Sequence, residues 1–223
     1  MINQFREKLK GSASYARVAP FVIFLLLTSA PSVLGEGTRF WFYFAKTFVG
    51  AWLIWELRPF VPEIRWAVSW EAIIVGIAVF FMWVWLDPFY PQAKATGAVW
   101  NPRAEFGQNS PMAWMFISVR ILGMTFIVPP LEEAFYRSFL YRYFVRINFL
   151  EMPLRQFHVT SFLVTSIIFG VSHQQWLAGI LCGFAYQWLV IRKDRLGDAM
   201  TAHAITNFML GVWVVGQGDW KFF

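Results

Sequence analysis

The chain has 223 residues and a formal net charge of +6, and its composition is strongly apolar. Hydrophobic residues make up 58% of it and charged residues 14%, whereas an ordinary soluble domain is about a quarter charged. A water-soluble globule with so few charges could not cover its surface, and a disordered chain would need low hydrophobicity and high charge. The single cysteine, Cys182, excludes a disulfide scaffold. The composition therefore predicts a polytopic membrane protein.

The basic residues are spread along the chain and form no nucleic-acid motif, so we expect no nucleic-acid partner. In a membrane protein, an excess of Lys and Arg favours cytoplasmic loops and attraction to anionic lipid. Membrane lipid is therefore an expected partner.

A helix crosses a bilayer core with about 20 mainly apolar residues, and apolar stretches near this length recur along the chain. They predict an all-α fold, a polytopic transmembrane bundle of about eight helices. The predicted segments are 20–35, 40–57, 70–86, 113–128, 131–149, 159–172, 176–191 and 199–215.

The first predicted segment follows four basic residues, Arg6, Lys8, Lys10 and Arg17. A basic start before an apolar run is typical of a cleaved signal peptide, but also of an uncleaved first span. Because further spans follow, we favour the uncleaved span with a cytoplasmic N-terminus. Residues 1–17 are expected to form an amphipathic helix that lies on the inner leaflet.

The placement of positive charge conflicts with eight full crossings. Eight spans counted from a cytoplasmic N-terminus put the basic loops 142–155 and 192–195 outside, whereas such loops favour the inside. One segment is therefore expected to be re-entrant or to stop short of a full crossing.

The connection 87–111 is rich in Pro, Gly and Asn and is expected to be a lid or a spacer. An interfacial belt is indicated by tryptophans near the predicted ends, namely Trp41, Trp52, Trp55, Trp66, Trp70, Trp83, Trp85, Trp100 and Trp114.

Polar residues inside apolar segments are costly in lipid and point to function by default. The first group follows Pro129 and Pro130, which can start a helix and would place Glu132 and Glu133 in its first turn. Glu133 can pair with Arg137 at i, i+4, while Glu132 points about 100° away and is free to face a cavity. The alternative is a helix start at the membrane interface that the two acids cap.

Two further groups lie on other predicted helices. Phe169 and His173 are four residues apart at the end of one segment, and His203 and Asn207 are four apart inside another. Taken singly, they could be an interfacial histidine bonded to a carbonyl and a polar contact that joins helices. Taken together with the carboxylates, two imidazoles and an amide suit the activation of water and the stabilisation of an oxyanion.

These three motifs, EExxxR from Glu132, FxxxH from Phe169 and HxxxN from His203, resemble those of the CPBP family of CAAX proteases and bacteriocin-processing proteins, also called Abi. The resemblance covers about residues 129–215 and implies a glutamic intramembrane protease, a hydrolase. It implies a catalytic helical core over 113–223. Residues 1–112, which carry none of the three motifs, are expected to form N-terminal membrane helices and a long connecting loop. The catalytic residues it implies are Glu132, Glu133, His173, His203 and Asn207, supported by Arg137 and Phe169.

The resemblance also implies how these residues work. Glu132 is the general base and shares a water with His173, while His203 and Asn207 bind the oxyanion. Glu133 and Arg137 are expected to hold Glu132 in place. No cofactor is implied.

The implied activity is endopeptidase cleavage near the end of a membrane-associated substrate, a hydrophobic or lipidated peptide or protein. The chain is also similar to bacterial CAAX-protease-related proteins that accompany exosortase systems. That similarity implies a link to a protein-sorting system and a multi-pass location in a bacterial inner membrane.

Two alternatives stay open on the residues alone. Glu132, His173 and His203 could bind zinc in an intramembrane metalloprotease, although no HExxH motif is present. The chain could also be a non-catalytic membrane carrier or scaffold. A cysteine nucleophile is not favoured, because Cys182 lies in an apolar run between Gly179 and Gly183, where a small packing residue is typical of a helix contact.

Overall fold

A computed structural model describes residues 2–93 and 98–223 and shows helices joined by short connections. The α-helices are α1 (Ile2–Gly11), α2 (Ala13–Leu34), α3 (Arg39–Leu57), α4 (Trp70–Leu86), α5 (Pro102–Phe106), α6 (Pro111–Phe126), α7 (Val128–Glu133), α8 (Tyr141–Tyr143), α9 (Val159–Val171), α10 (Trp176–Lys193) and α11 (Gly197–Gln217). A π-helix, Ala134–Leu140, joins α7 to α8.

Within the described residues, four helices are long and apolar enough to cross a membrane by length and composition, namely Ala13–Leu34, Trp70–Phe89, Pro111–Tyr143 and Gly197–Gln217. Helix α9 is apolar but shorter. The predicted fold class, an all-α polytopic bundle, is confirmed, and the protein is an integral membrane protein.

Two of the predicted segments, 113–128 and 131–149, are one continuous rod over Pro111–Tyr143. The prolines lie in the first turn of α7, as expected, but α7 continues directly from α6, where the Ile127 N–H still bonds to the Gly123 carbonyl. The first turn of α7 therefore contains neither Glu132 nor Glu133, which lie in the middle of the rod. The expectation that both acids lie in a first turn was wrong, and so was the alternative that they cap a helix start.

The long elements alternate in direction, as side-chain contacts between them show. Helix α3 runs against α2, because Lys46 bonds to Thr28 while the later Gly50 faces the earlier Phe24. It runs in the same direction as α6, because Tyr43 bonds to the Arg120 carbonyl and Gly50 faces Ile127. Helix α11 runs against α6, because Asn207 bonds to the Met124 carbonyl and the later Gly211 faces the earlier Ile121.

With 111–143 as one crossing, this alternation brings the basic loops together at one end of the bundle. Lys193 at the end of α10 pairs with Glu71 at the start of α4 at 2.6 Å. Arg142 pairs at 2.7 Å with Glu63, which precedes α4. The conflict with the positive-inside rule arose from the division of this rod into two spans.

A buried ionic cluster fastens α2 to this rod. The Glu63 carboxylate bonds to Arg17 at 2.5 Å and to Arg142 at 2.7 Å, and the Arg17 Nε donates to the Ser138 hydroxyl at 2.7 Å. Burial alone would raise the pKa of Glu63, but the two guanidiniums outweigh it and hold the pKa below its usual value. The amphipathic helix predicted over 1–17 is wrong in extent, because α1 ends at Gly11 and Arg17 is buried within α2.

Helices α9 and α10 are in close contact through small residues. A Cβ on Gly183 would lie 2.9 Å from the Ser166 Cα, and one on Gly179 would lie 2.9 Å from the Gly170 Cα. The expected small-residue helix contact is therefore confirmed, and Cys182 is buried and free beside it. This contact fixes the end of α9, where His173 follows.

The predicted connection 87–111 is only partly a loop. Its described part contains the 3₁₀ turn Asp87–Phe89 and the helix α5, while residues 94–97 lie outside the described residues.

Most tryptophans of the predicted belt are exposed, but Trp83 and Trp100 are each 6% exposed. These two pack inside the bundle rather than at the lipid interface.

Candidate active site

Glu133 and His203 form a deeply buried polar pair of the site. Glu133 is fully buried in the rod, and His203, on α11, is 4% exposed. The His203 Nδ1–H donates to the Glu133 Oε1 at 3.0 Å, which leaves Nε2 as the free ring nitrogen. The Arg137 Nε lies 3.3 Å from the other carboxylate oxygen, so the predicted i, i+4 pair is present.

Arg137 is fully buried, and Glu133 is the carboxylate that balances its charge among the described residues. Its guanidinium carbon lies 4.7 Å from the centroid of the Phe169 ring, so Phe169 supports the charged pair through a cation–π contact. Glu133 therefore contacts Arg137 and His203, and it is His203 that this pair orients.

Glu132 lies on the other side of His203. Its Oε2 is 3.9 Å from the His203 Nε2, and its side chain is 16% exposed. Among the described residues no group donates a hydrogen bond to this oxygen. The Glu132 carboxylate can therefore accept a hydrogen bond from a bound molecule such as a water.

His173 follows α9 and is held by its own backbone. Its Nδ1 lies 2.8 Å from the Phe169 carbonyl, and because a carbonyl only accepts, Nδ1 carries the proton. The Nε2 of the neutral ring is then a free acceptor. The Trp83 ring packs edge-on against His173, with the ring centroids 5.6 Å apart.

His173, His203 and Asn207 line one cavity of about 140 Å³. One Nδ2–H of Asn207 donates to the Met124 carbonyl at 2.7 Å, which fixes the amide and leaves its second N–H free. Glu132 is not part of this lining, but its Oε2 lies 3.9 Å from the Nε2 of His203, so its carboxylate is next to the cavity. The predicted residues from three helices thus meet around the two imidazoles.

Several cavity residues were missed by the sequence reasoning. Tyr186 stacks on His203 with centroids 5.1 Å apart and donates to the Thr206 hydroxyl at 2.8 Å. Thr206 in turn donates to the Gly76 carbonyl at 2.8 Å. The sequence could have pointed to Thr206, since it lies one turn from His203. Tyr186 and Trp83 could not be singled out, because their helices contain many other aromatic residues.

A zinc site does not fit the arrangement of these side chains. Within residues 2–93 and 98–223, no group of three or more His, Cys, Asp or Glu side chains is placed to hold a metal ion. Glu132, His173 and His203, the three ligands considered, do not form such a group.

Comparison with known proteins gives one match. A family model described as type II CAAX prenyl endopeptidase Rce1-like matches residues 111–209, which contain all three motifs. No curated protein and no solved structure matches the chain. The match is consistent with the CPBP resemblance and confirms it. Residues 111–209 are therefore similar to the Rce1-like family of type II CAAX prenyl endopeptidases.

Proposed function

We propose that this membrane protein is a glutamic endopeptidase that cleaves a membrane-associated peptide with a water held by Glu132 and His173. The observation that carries the proposal is the pair of imidazoles. Each has its Nδ1 bonded to the protein and both line the same small cavity, beside a carboxylate oxygen that no described residue bonds. Ionisable side chains are costly inside a membrane, so their presence together at one cavity points to a function.

The first step is the activation of water. The water donates one hydrogen to the Glu132 carboxylate and the other to the Nε2 of His173, so that its lone pair points at the substrate carbonyl. As the oxygen attacks the carbonyl carbon, Glu132 takes the proton. The tetrahedral intermediate then carries its negative charge on the former carbonyl oxygen.

His203 and Asn207 stabilise that oxyanion by donating to it. The Asn207 amide keeps one N–H free for this purpose. For His203 to donate, its Nε2 must carry a proton before the attack. Once Glu132 has taken the proton of the water, the imidazolium charge is balanced by the Glu133 carboxylate and by the oxyanion itself. Glu132 then returns its proton to the leaving nitrogen, the C–N bond breaks, and the products are a carboxylic acid and an amine.

The substrate class follows from the surroundings of the site. Apolar helices enclose it and exclude bulk water, so a hydrophobic or lipidated peptide fits better than a soluble one. The link to a sorting system and a bacterial inner membrane stay predictions.

The proposal is tested on purified protein in nanodiscs with internally quenched hydrophobic peptides. We expect Glu132→Gln and His173→Gln to lower kcat/KM about 100-fold or more, the range for loss of a general base. Glu151→Gln is the matched control, because Glu151 is an exposed partner of Arg146 far from the site. Wild-type rates in Glu132→Gln would contradict the proposal.

The same preparation separates the alternatives. Loss of activity to a chelator and its return with stoichiometric zinc would select the metalloprotease. Proton-dependent uptake of an uncleaved peptide into vesicles, lost in Glu132→Gln, would select a carrier.

A further inference from the structure

Gln175 is a buried polar residue beside the two histidines, and the mechanism above does not use its side chain. It lines the cavity of about 140 Å³ that also contains His173, His203 and Asn207, which we call the catalytic cavity. The residue is only 7% exposed. A side-chain amide buried this deeply is expected to be hydrogen-bonded.

Among residues 2–93 and 98–223, the Gln175 amide has no such partner. The hydrogen bond that Gln175 makes there uses its backbone carbonyl, which accepts from the Gly179 N–H at 2.9 Å. Gln175 directly precedes α10, where a polar side chain often caps the first turn, but its side chain makes no capping bond. The fold of the described residues therefore does not explain this amide, and a molecule bound in the cavity can supply its partners.

The backbone on either side of Gln175 is held from outside the cavity. The Gln174 carbonyl accepts from the Ala93 N–H at 3.0 Å, and the Trp176 Nε1–H donates to the Pro91 carbonyl at 2.9 Å. Gln174 itself is exposed, whereas Gln175 is buried. Because the backbone is fixed in this way, the Gln175 side chain has less freedom to lose when a ligand binds, which favours affinity.

The Gln175 amide is a free donor and acceptor in a cavity whose other polar groups are largely committed. Tyr186 donates to the Thr206 hydroxyl, and Thr206 donates to the Gly76 carbonyl. The Trp83 Nε1 has no partner among the described residues, but an indole only donates. A glutamine amide, by contrast, carries an acceptor and a donor together, as a peptide group does.

A peptide that enters this site needs partners for its own backbone. Within a membrane, every N–H and C=O that leaves water has to be bonded. The oxyanion donors take up the scissile carbonyl, but the adjoining peptide groups remain. Since His173 and Gln175 are two residues apart, their Cα atoms are at most about 7 Å from each other, the length of about two residues of an extended peptide. The Gln175 amide is therefore within reach of a peptide group next to the scissile bond.

We propose that Gln175 binds the substrate backbone beside the scissile bond. Its Oε1 accepts from a substrate N–H, and its Nε2 donates to a substrate carbonyl. The proposal rests on the proposed function, because the catalytic water fixes where the scissile bond lies. It makes the enzyme selective against proline at that position, since proline has no N–H to donate.

The test replaces single N–H groups of one hydrophobic parent peptide by ester oxygens, at each bond within about two residues of the scissile one. Mass spectrometry of the products identifies the bond that is cleaved. We expect the wild type to lose about tenfold in kcat/KM at one of these positions, the worth of a buried hydrogen bond. Gln175→Met, which keeps the length of the side chain but not its amide, should cleave the parent about tenfold more slowly and lose the sensitivity to the ester.

Gln174→Met is the matched control, because it makes the same change at the exposed neighbour, and it should keep the sensitivity to the ester. An ester effect of equal size in the wild type and in Gln175→Met overturns the proposal. A lower Tm in Gln175→Met than in Gln174→Met contradicts it as well, because it would assign the amide to the fold rather than to the substrate.

Binding measurements separate this proposal from the proposed function. In Glu132→Gln, fluorescence anisotropy should show about tenfold tighter binding of the parent than of one ester in the series, and the addition of Gln175→Met should abolish the difference. Equal binding of all the peptides overturns the backbone contact even if the wild type cleaves them. The expected difference in binding without any cleavage by the wild type supports the contact and contradicts the peptidase.

Discussion

At the scale of single residues, the two histidines of the cavity differ in the group that holds Nδ1. A backbone carbonyl holds His173, so its free Nε2 accepts a hydrogen bond. A carboxylate holds His203, so that ring can take a second proton and donate from Nε2. One imidazole therefore suits the water and the other suits the oxyanion.

This difference makes Glu133 a positioning residue for His203. We expect Glu133→Gln to lower kcat about 100-fold or more, as for loss of an oxyanion donor. The same change leaves Arg137 buried without its counter-charge and should lower the free energy of unfolding by about 3–5 kcal/mol. Activity on a quenched peptide and thermal unfolding in detergent measure the two effects.

The second variant Glu133→Gln/Arg137→Met separates these two effects. Removal of the unpaired guanidinium should restore much of the stability but none of the activity. Activity that returns together with stability would mean that Glu133 only supports the fold.

Spacing alone predicted one of these contacts. The Glu133–Arg137 pair follows from the i, i+4 rule and is present at 3.3 Å. The position of Glu132 near the Nε2 of His203 could not be predicted, because it depends on how α11 packs against the rod. Tyr186 and Trp83 were missed because aromatic residues are common throughout this chain.

At the scale of elements, the rod over Pro111–Tyr143 shows a limit of hydropathy patterns. A proline pair marks a possible helix start, but it is also tolerated where one helix continues directly into another. The sequence therefore predicted two spans where one rod carries both glutamates. By contrast, the bounds of α4 agree with the predicted segment 70–86, since charged and polar residues flank it.

The contact between α9 and α10 places His173, and it leaves no space for a larger side chain. We expect Gly183→Ala to lower Tm and activity together, because the new Cβ would lie 2.9 Å from the Ser166 Cα. The cost of such overpacking is about 1–3 kcal/mol. Gly216→Ala is the matched control, because a Cβ there meets nothing within 4 Å, and it should be neutral or stabilising. Equal losses in both variants would contradict the packing role.

At the scale of the whole molecule, the charges are unequally divided between the two ends of the bundle. The loops that join α3 to α4, α8 to α9 and α10 to α11 gather at one end, together with the adjoining ends of α8 and α10, helix α1 and the start of α2. This end carries 12 of the 19 Lys and Arg residues. The positive-inside rule assigns this end to the cytoplasm. Trp83, near the end of α4, and Phe222, after α11, line the catalytic cavity towards the opposite end.

The cavity should therefore open towards the non-cytoplasmic face. Two single substitutions test this in a bacterial host: Val33→Cys at the cavity end, 84% exposed in the native chain, and Ile147→Cys at the basic end, 82% exposed. We expect a membrane-impermeant maleimide to label Val33→Cys in intact cells and Ile147→Cys only after lysis. The native Cys182 is buried and should stay unlabelled. The reverse pattern would place the cavity on the cytoplasmic face.

The most direct test of the shared catalytic water is a double-mutant cycle on kcat with Glu132→Gln and His173→Gln. If both side chains act on one water molecule, removal of the second costs little once the first is gone, since residues that act as a unit are not additive. We predict that the double variant is no slower than the slower single variant. A rate reduced by the product of the two single effects would mean that Glu132 and His173 act independently.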